Sequence, residues 1–227
     1  MKFFYASLFF FFFFSCSSQS QSVNADEFEK GLLKDSIQVL DVRTAGEYNN
    51  GHIKNSMLAD WNNQSQFRER IEYVDKNRPV YIYCLVGARS AAAAAWMRKN
   101  GFADVIELQG GFNAWKQNNK PVEANSNEKQ MSLEEYWDSI PKDKTVLVDF
   151  GAVWCPPCIK MEPILQAIKK DPVLHFSFLK VDAGVHTAIM KSLNIEPIPV
   201  FIIYKNGKEV WRKKGLVTKE EFAAQLK

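Results

Sequence analysis

Two cysteines separated by two prolines end the stretch DFGAVWCPPC, which runs from residue 149 to residue 158. The largely apolar residues 145–150 before them predict a buried strand, and residues 157–169 predict a helix. A Cys-x-x-Cys pair at a helix start can be a redox dithiol, part of a zinc site or a structural crosslink. The pattern therefore requires a strand that leads directly into a helix, with both sulfur atoms near the junction.

Of these three interpretations, the redox dithiol is favoured. A zinc site needs two more ligands, and outside the N-terminal segment the chain offers only Cys84 and three scattered histidines, so no metal is expected. A crosslink that closes so short a loop contributes little stability. The helix dipole and the free N–H groups lower the pKa of Cys155 and make it the nucleophile. Cys158, one turn later, is placed to close the disulfide.

The N-terminal segment has the pattern of an export signal. Lys2 precedes an apolar run over residues 3–14, which spans about 18 Å as a helix, too short for a bilayer core of ~30 Å. Serines surround Cys16, a placement that resembles a bacterial lipobox with Phe13 where leucine is typical. We expect lipidation at Cys16; the alternative is an ordinary signal peptide cleaved nearby. Residues 1–22 are predicted to be a signal peptide and tether.

The mature chain is accordingly expected to be extracytoplasmic, either a periplasm-facing membrane lipoprotein or a protein secreted to the periplasm. The lipid anchor is its only expected contact with a membrane. The net charge of the 227-residue chain is +3, and no basic cluster is interleaved with aromatic residues, so no nucleic-acid partner is expected. No cofactor is expected either.

The chain divides at a polar stretch. Residues 122–130 predict a linker between a first domain at 23–121 and a second at 131–227. In both domains, strand-like segments alternate with helix-like ones, which predicts an α/β fold with a mostly parallel sheet in the first domain. In the second, Asn206-Gly207 predicts a hairpin between two strands.

The third cysteine of the folded part begins a loop. Cys84 ends a predicted strand, and the sequence CLVGARS leads from it into an alanine-rich helix over residues 90–99. A strand-loop-helix turn with a glycine can direct successive backbone N–H groups at one anion. Such a loop would hold Cys84 as a thiolate or persulfide, with Arg89 adding charge-assisted donors. The alternative is a buried, inert cysteine.

The surroundings of Cys84 favour the reactive interpretation. Asp41-Val42-Arg43, Glu47-Tyr48 and Gly51-His52-Ile53 resemble the N-terminal signature of rhodanese domains, and Gly101-Phe102 through Gly110-Gly111-Phe112 and Trp115 resembles their C-terminal signature. The resemblance implies that Cys84 carries sulfane sulfur as a persulfide. It also implies that a cradle surrounds the sulfur, formed by Leu85, Val86, Gly87, Ala88 and Arg89.

Loop length separates two chemistries in this family. Sulfur-transferring members have a six-residue loop, as from Cys84 to Arg89, whereas the related phosphatases have one residue more. Sulfur transfer is therefore favoured over phosphatase or arsenate reductase chemistry. Leu85 stands where many thiosulfate-using members have a cation, which leaves the sulfur donor open. Asp41, Arg43 and Glu47 are expected to brace the loop through ion pairs, and His52 to be structural.

The second domain resembles thioredoxins in DFGAVWCPPC, in Pro163, in Ile198-Pro199 and in Gly215 after the hairpin. The resemblance implies that Cys155 attacks and Cys158 resolves, that Trp154 shields the site, and that Pro199 is cis. The backbone of Ile198 would then pair with a substrate chain.

Asp149 matches the buried carboxylate of the thioredoxin family, a candidate proton acceptor for Cys158 with Lys180 as its partner. The alternative is an ion pair without catalytic weight. One departure is Pro156, which removes a backbone N–H near Cys155 where thioredoxin has glycine. It favours a less stabilised thiolate and a more reducing pair.

Together these features predict an α/β protein of two domains: a rhodanese-like parallel-sheet domain and a thioredoxin-fold domain with a mixed sheet. The predicted activity is thiol-disulfide oxidoreduction, specifically protein disulfide reduction, with a persulfide-carrying Cys84 that relays sulfane sulfur to the dithiol. The expected partners are disulfide-bonded proteins, an unidentified reductant and a sulfane-sulfur donor. The alternative is that the first domain is a non-catalytic docking module that delivers the dithiol to a partner.

Overall fold

The computed structural model of the protein describes residues 21–124 and 129–227. Nearly all of the predicted signal segment, with Cys16, and residues 125–128 of the predicted linker lie outside the described residues. Within the described ranges, no helix is both long enough and apolar enough to span a membrane. The same ranges contain no cluster of three or more His, Cys, Asp or Glu side chains suited to a metal ion.

The first half is built on a five-stranded sheet in which every pairing is parallel, with the strand order β1-β5-β4-β2-β3. Helices cover both faces of this sheet, as parallel strands buried on two sides require. The strands are β1 (Gln21–Val23), β2 (Gln38–Asp41), β3 (Ser56–Leu58), β4 (Val80–Tyr83) and β5 (Val105–Leu108). The helices are α1 (Ala25–Leu32), α2 (Ala45–Asn49), α3 (Gln64–Ile71), α4 (Ala88–Lys99) and α5 (Gly111–Gln117).

The second half is built on a four-stranded sheet with the order β7-β6-β8-β9. The β6–β7 pairing is parallel and the other two are antiparallel, so the sheet is mixed. Its elements are α6 (Leu133–Asp138), β6 (Thr145–Gly151), α7 (Pro156–Lys169), β7 (Ser177–Asp182), α8 (Thr187–Ser192), β8 (Val200–Lys205), β9 (Lys208–Lys214) and α9 (Lys219–Leu226). The predicted fold class, one parallel and one mixed sheet in two α/β domains, is confirmed.

The first half includes residues on both sides of the domain predicted from the sequence at 23–121. Gln21 and Ser22, assigned to the tether, lie in β1 and pair with Ile106 and Glu107 of β5. Glu123, assigned to the linker, forms an antiparallel bridge with His52. Both additions are made by backbone groups, which pair wherever a free edge is available, so side-chain composition does not reveal them.

Short elements between β2 and β4 were also not predicted. They are α2, β3 and α3. The sequence between residues 44 and 71 is largely polar, and its apolar residues do not follow a clear helix or strand periodicity. Local capping explains both helices. The Thr44 hydroxyl accepts from the Glu47 N–H at the start of α2, and the Asn63 side chain accepts from Gln66 N at the start of α3.

The two halves meet at the dithiol. The Leu58 N–H of β3 donates to the Trp154 carbonyl at 2.8 Å, and the Asn49 amide of α2 donates to the Gly184 carbonyl at 2.9 Å. Tyr48 and Leu58 belong to the same buried cluster as Trp154, Phe150 and Ile202. One apolar core therefore continues from the second half into the β3 edge of the first.

Candidate active sites

Cys84 lies at the carboxyl end of β4, where the chain turns into α4. Its side chain is fully buried, whereas Val86 at the tip of the loop is 59% exposed. The Gly87 N–H points back and donates to the Cys84 sulfur at 3.1 Å. Gly87 adopts φ 109°, a left-handed conformation that L side chains rarely take, so glycine is what lets this N–H face the sulfur.

Ser90, in the first turn of α4, adds a second polar group. Its hydroxyl oxygen is 3.5 Å from the Cys84 sulfur and 2.9 Å from the Gly87 carbonyl, so its single hydrogen can turn from the carbonyl to the sulfur when a thiolate forms. Burial acts to raise the pKa of the Cys84 thiol, but hydrogen bonds from Ser90, Gly87 and Val86 outweigh it, and the pKa lies below its usual value. The loop is thus built to hold an anionic sulfur.

Arg89 braces the loop instead of donating to the sulfur. Its guanidinium makes a two-pronged pair with Glu47, at 2.6 Å and 2.9 Å. The hydrogen bonds from Arg89 lower the pKa of the Glu47 carboxyl to about 2, against a smaller opposing effect of burial. The expectation that Glu47 braces the loop fits this geometry, while the expected donors from Arg89 to the sulfur are directed at Glu47.

A second ion pair, between Asp41 and Arg43, lies at the end of the neighbouring strand β2. The Asp41 carboxylate accepts from the backbone and the side chain of Arg43, which also donates to the Gly51 carbonyl at 2.7 Å. Arg43 is only 2% exposed, and its guanidinium carbon lies 4.1 Å from the centre of the Phe112 ring. The pair therefore joins β2 to the start of α5.

The start of α5 also fixes the loop directly. The Phe112 N–H donates to the Cys84 carbonyl at 2.7 Å, and the Asn113 N–H donates to the Leu85 carbonyl at 3.0 Å. A Cβ on Gly111 would lie 2.5 Å from the Cys84 carbonyl oxygen, so only glycine permits this approach. Ser90 and Asn113 carry no sequence signal of this role. Gly111 belongs to the C-terminal signature, but the sequence assigns it no role in holding the loop.

The dithiol sits at the start of α7. Cys155 is the N-cap residue, its sulfur accepts from the Cys158 N–H at 3.3 Å, and the two sulfur atoms form a disulfide. The Ile198 carbonyl oxygen is 3.9 Å from the Cys155 sulfur, and the Ile198–Pro199 peptide bond is cis, as the resemblance implies. The backbone donor to the Cys155 sulfur is thus the Cys158 N–H. Position 156, where proline has no N–H, does not supply it.

Asp149 lies behind the dithiol on β6. Its carboxylate and the Cys158 sulfur both approach Gly151: a Cβ built there would lie 3.2 Å and 3.5 Å from them. Burial raises the pKa of Asp149 to about 6, an effect that Lys180 opposes and Glu162 reinforces. Lys180 itself lies 3.8 Å from Glu162, so its ion-pair contact is with Glu162 rather than with the expected partner Asp149.

Asp149 and Cys158 share a cavity of about 260 Å³ with Glu162 and Lys180. This cavity gives the buried carboxylate a route along which a proton can reach solvent. At pH 7 a carboxyl whose pKa is about 6 is mostly ionised and can accept the proton of the Cys158 thiol.

The structure does not bring all of the predicted residues to one place. Cys84 is buried with Leu40, Ile82 and Ala93 in the core of the first half. Cys155 is buried with Trp154 and Leu58 in the cluster that spans the junction. Residues 21–124 and 129–227 therefore hold two sulfur sites, each with its own hydrogen-bonding partners.

Family models match both halves of the chain. The model of the rhodanese-like domain matches residues 24–118, and the model of thioredoxin matches residues 127–227.

Individual relatives divide in the same way. A protein from rice, "Thioredoxin Y, chloroplastic", is 39% identical over 84 residues, or 37% of this chain, and the chain spans half of that protein's length. The "Thioredoxin" of Chlamydia trachomatis is 38% identical over 90 residues, 40% of this chain and 86% of that protein. The "Thiosulfate sulfurtransferase GlpE" of Shewanella oneidensis is 37% identical over 84 residues, 37% of this chain and 80% of that protein.

Proposed function

Because the chain belongs to two families, the rhodanese-like domains and the thioredoxins, we propose that it is a protein disulfide reductase that also carries sulfane sulfur. One observation carries the first activity. Cys155 caps α7, accepts the Cys158 N–H and is already joined to Cys158, with the Asp149 carboxylate behind the pair. This geometry fits an attacking thiol, a resolving thiol and a proton acceptor.

The proposed reaction transfers two electrons from the dithiol to a substrate disulfide. The Cys155 thiolate attacks one sulfur of the substrate, and the other sulfur leaves as a thiolate that takes up a proton. Asp149 accepts the proton of the Cys158 thiol, and the Cys158 thiolate then attacks the Cys155 sulfur. The second substrate thiol is released, and Cys155 and Cys158 are left as the disulfide seen in the structure.

Turnover of a disulfide-bonded protein by the full chain, with dithiothreitol as the reductant, tests this activity. Cys155→Ser should abolish turnover, and Cys158→Ser should accumulate a mixed disulfide that gel electrophoresis detects. Cys84→Ser, the matched loss of a thiol in the other half, should keep disulfide reduction. Equal turnover by wild type and Cys155→Ser would refute the proposal.

The geometry of the Cys84 loop supports sulfur transfer as a second activity. The donors from Gly87 and Ser90 converge on the Cys84 sulfur, which favours the thiolate that must attack a sulfane-sulfur donor. The Cys84 thiolate should attack the outer sulfur of thiosulfate, whose S–S bond breaks to release sulfite. Cys84 then carries one additional sulfur atom, detectable by mass spectrometry and absent in Cys84→Ser. If Cys84 never holds sulfur while disulfide reduction is intact, the first half is instead a docking module for the dithiol.

We further propose that the two sites act in sequence. The Cys155 thiolate would take the outer sulfur of a Cys84 persulfide, releasing the Cys84 thiolate. Attack by Cys158 on the Cys155 sulfur would then release hydrosulfide and leave the Cys155–Cys158 disulfide, so that the dithiol supplies both electrons. Chains loaded at Cys84 should release sulfide quickly in wild type and slowly in Cys155→Ser. Equal release rates would exclude the relay.

The pattern of the N-terminal segment supports an extracytoplasmic location, with Cys16 lipidated or the signal simply cleaved. Fractionation of cells that express the full chain tests this, with Cys16→Ala as the variant that separates anchoring from secretion. In the periplasm the dithiol would need an imported reductant.

A further inference from the structure

The residues on either side of Cys155 are covered by the first half of the chain. The Trp154 carbonyl accepts the Leu58 N–H at 2.8 Å, and Trp154 is only 4% exposed. Pro156 is buried and lines a cleft together with Asn55 and Met57. The backbone around the attacking cysteine is therefore in contact with the β3 edge of the rhodanese-like half.

The Trp154 side chain is held from the same direction. The guanidinium carbon of Arg70 lies 5.0 Å from the centre of its ring, and the Tyr48 ring lies 5.9 Å away. Arg70 also donates to the Leu58 carbonyl at 2.9 Å, so β3 and the cation that faces Trp154 form one surface. We call the residues Tyr48, Asn49, Leu58 and Arg70 the covering surface.

Cys155 is fully buried beside this contact. Val153 is 66% exposed and Ile159 is 44% exposed, yet Cys155 between them has no exposed area. A disulfide within a folded protein is too bulky to reach a sulfur atom that is fully enclosed, because the nucleophile and the attacked bond must be in contact.

The contact is imperfectly paired. Two clefts of about 540 Å³ and 520 Å³ flank it, one lined by Arg70 and Trp154 and the other by Met57 and Pro156. The Trp154 indole N–H and the side-chain oxygen (Oδ1) of Asn49 are buried there without hydrogen-bond partners. Buried polar groups left unpaired raise the free energy of the closed arrangement relative to an open one, in which water pairs them. Interfaces of this kind between domains of one chain commonly open.

We propose that the covering surface is an autoinhibitory contact, which closes over Cys155 and must separate before the dithiol can attack a protein disulfide. The inference rests on the proposed reductase activity and adds the regulation of its site. The apparent rate is then the rate of the open form multiplied by the fraction of molecules that are open. Any substitution that separates the halves should raise the rate without touching either cysteine.

A side chain introduced at Gly184 would act as a wedge that pushes the two halves apart. Its carbonyl accepts from Asn49, and a Cβ built on it would lie 3.2 Å from both Trp154 Nε1 and Asn49 Oδ1. Its φ lies outside the left-handed region, so a side chain is compatible with its backbone. Alanine forces a small displacement and leucine a larger one. Gly46 on α2 is the matched control, because a Cβ there meets no atom within 4 Å.

The test measures the alkylation rate of Cys155 by iodoacetamide in the reduced full chain, with each cysteine resolved by peptide mass spectrometry. The rate should rise from wild type to Gly184→Ala to Gly184→Leu, by about tenfold or more for leucine. Gly46→Leu should match the wild type. If Gly184→Leu does not fold, as judged by its near-UV circular dichroism, the Gly184→Ala comparison decides.

Equal alkylation rates in wild type and in the Gly184 variants would overturn the inference, as would the same acceleration in Gly46→Leu. Disulfide reduction is measured in parallel to separate the two proposals. A chain that alkylates as expected but reduces no disulfide contradicts the reductase function and keeps the covering contact. A chain that reduces disulfides with no response to the wedge contradicts the covering contact alone.

Discussion

The Glu47 carboxylate and the Arg89 guanidinium are 2.6 Å apart at their closest atoms, and they join α2 to the loop that follows Cys84. Two residues further along α2, Asn49 donates to Gly184 in the other half. One short helix thus contacts the sulfur loop through Glu47 and the thioredoxin half through Asn49.

Glu47→Gln should destabilise the loop and slow sulfur transfer. The folded-state pKa of Glu47, about 2, is depressed from 4.5, so the pair stabilises the fold above pH 4.5 and the effect is lost as pH falls toward 2. Because both side chains are partly exposed, we expect a loss of about 1 kcal/mol at pH 7. Urea unfolding at pH 7 and pH 3 measures it. Glu69→Gln, an exposed position on α3, is the control; an equal loss there would contradict the brace.

Ser90→Ala should shift the pH profile of Cys84 alkylation to higher pH. The variant removes a hydrogen-bond donor to the thiolate, so the pKa of Cys84 should rise. The measurement is made in a Cys155→Ser, Cys158→Ser background so that a single thiol reacts. Ser65→Ala, at an exposed position on α3, should leave the profile in place. An unchanged pH profile in Ser90→Ala would show that Ser90 does not stabilise the Cys84 thiolate.

Gly111→Ala should slow persulfide formation strongly while leaving disulfide reduction intact. The added Cβ would lie 2.5 Å from the Cys84 carbonyl oxygen, and φ is 62° at this residue, so the loop must move away from α5. We expect at least about a tenfold fall in the rate of sulfur loading from thiosulfate, because the N–H groups no longer converge on one atom. Gly46→Ala is the control. A loading rate equal to that of the wild type would show that the loop tolerates the displacement.

Asp149→Asn should stabilise the protein at high pH. In the folded state the pKa of Asp149 is about 6, raised from 3.8, so the folded chain binds more protons than the unfolded chain between these values and stability falls as pH rises through 6. The uncharged variant avoids this loss, which amounts to about 3 kcal/mol at pH 8 and vanishes near pH 4. Urea unfolding at both pH values, with the exposed Asp143→Asn as control, checks the sign.

The same variant should slow the resolution of a mixed disulfide. Without a proton acceptor, Cys158 forms its thiolate less often near neutral pH, and we expect a fall of about tenfold to a hundredfold. Stopped-flow release of the second substrate thiol measures this step separately from the attack by Cys155. A release rate that does not change would show that Asp149 is a buried carboxyl without a role in proton transfer.

Several features of this protein could be predicted from local sequence. The strands before Cys84 and Cys155 are mostly apolar, with Asp149 as the one charged residue of β6. Each is followed by a helix whose start is marked by its own residues, glycine in one case and proline in the other. Burial of both faces of a strand and capping of a helix act over a few residues, so the pattern is visible in the chain. The two families and the fold class followed from these motifs.

The path of the chain between β2 and β4 could not be predicted in this way. The polar helix α3 supplies Arg70, which is 5% exposed and faces Trp154 from more than eighty residues away. Nothing in the residues beside Arg70 distinguishes it from the exposed Arg68 on the same helix. Only contacts between distant segments decide which of the two is buried.

The sequence alone determined two sulfur sites, a loop cysteine cradled by N–H groups and a dithiol at a helix start, because each depends on neighbours within a few residues. Tertiary structure alone decided that Arg89 pairs with Glu47, that Lys180 contacts Glu162, and that β3 meets the Trp154 carbonyl. These pairings depend on which surfaces come together when the sheets form. A charged or backbone group takes the partner that packing brings within reach, and the sequence does not specify that partner.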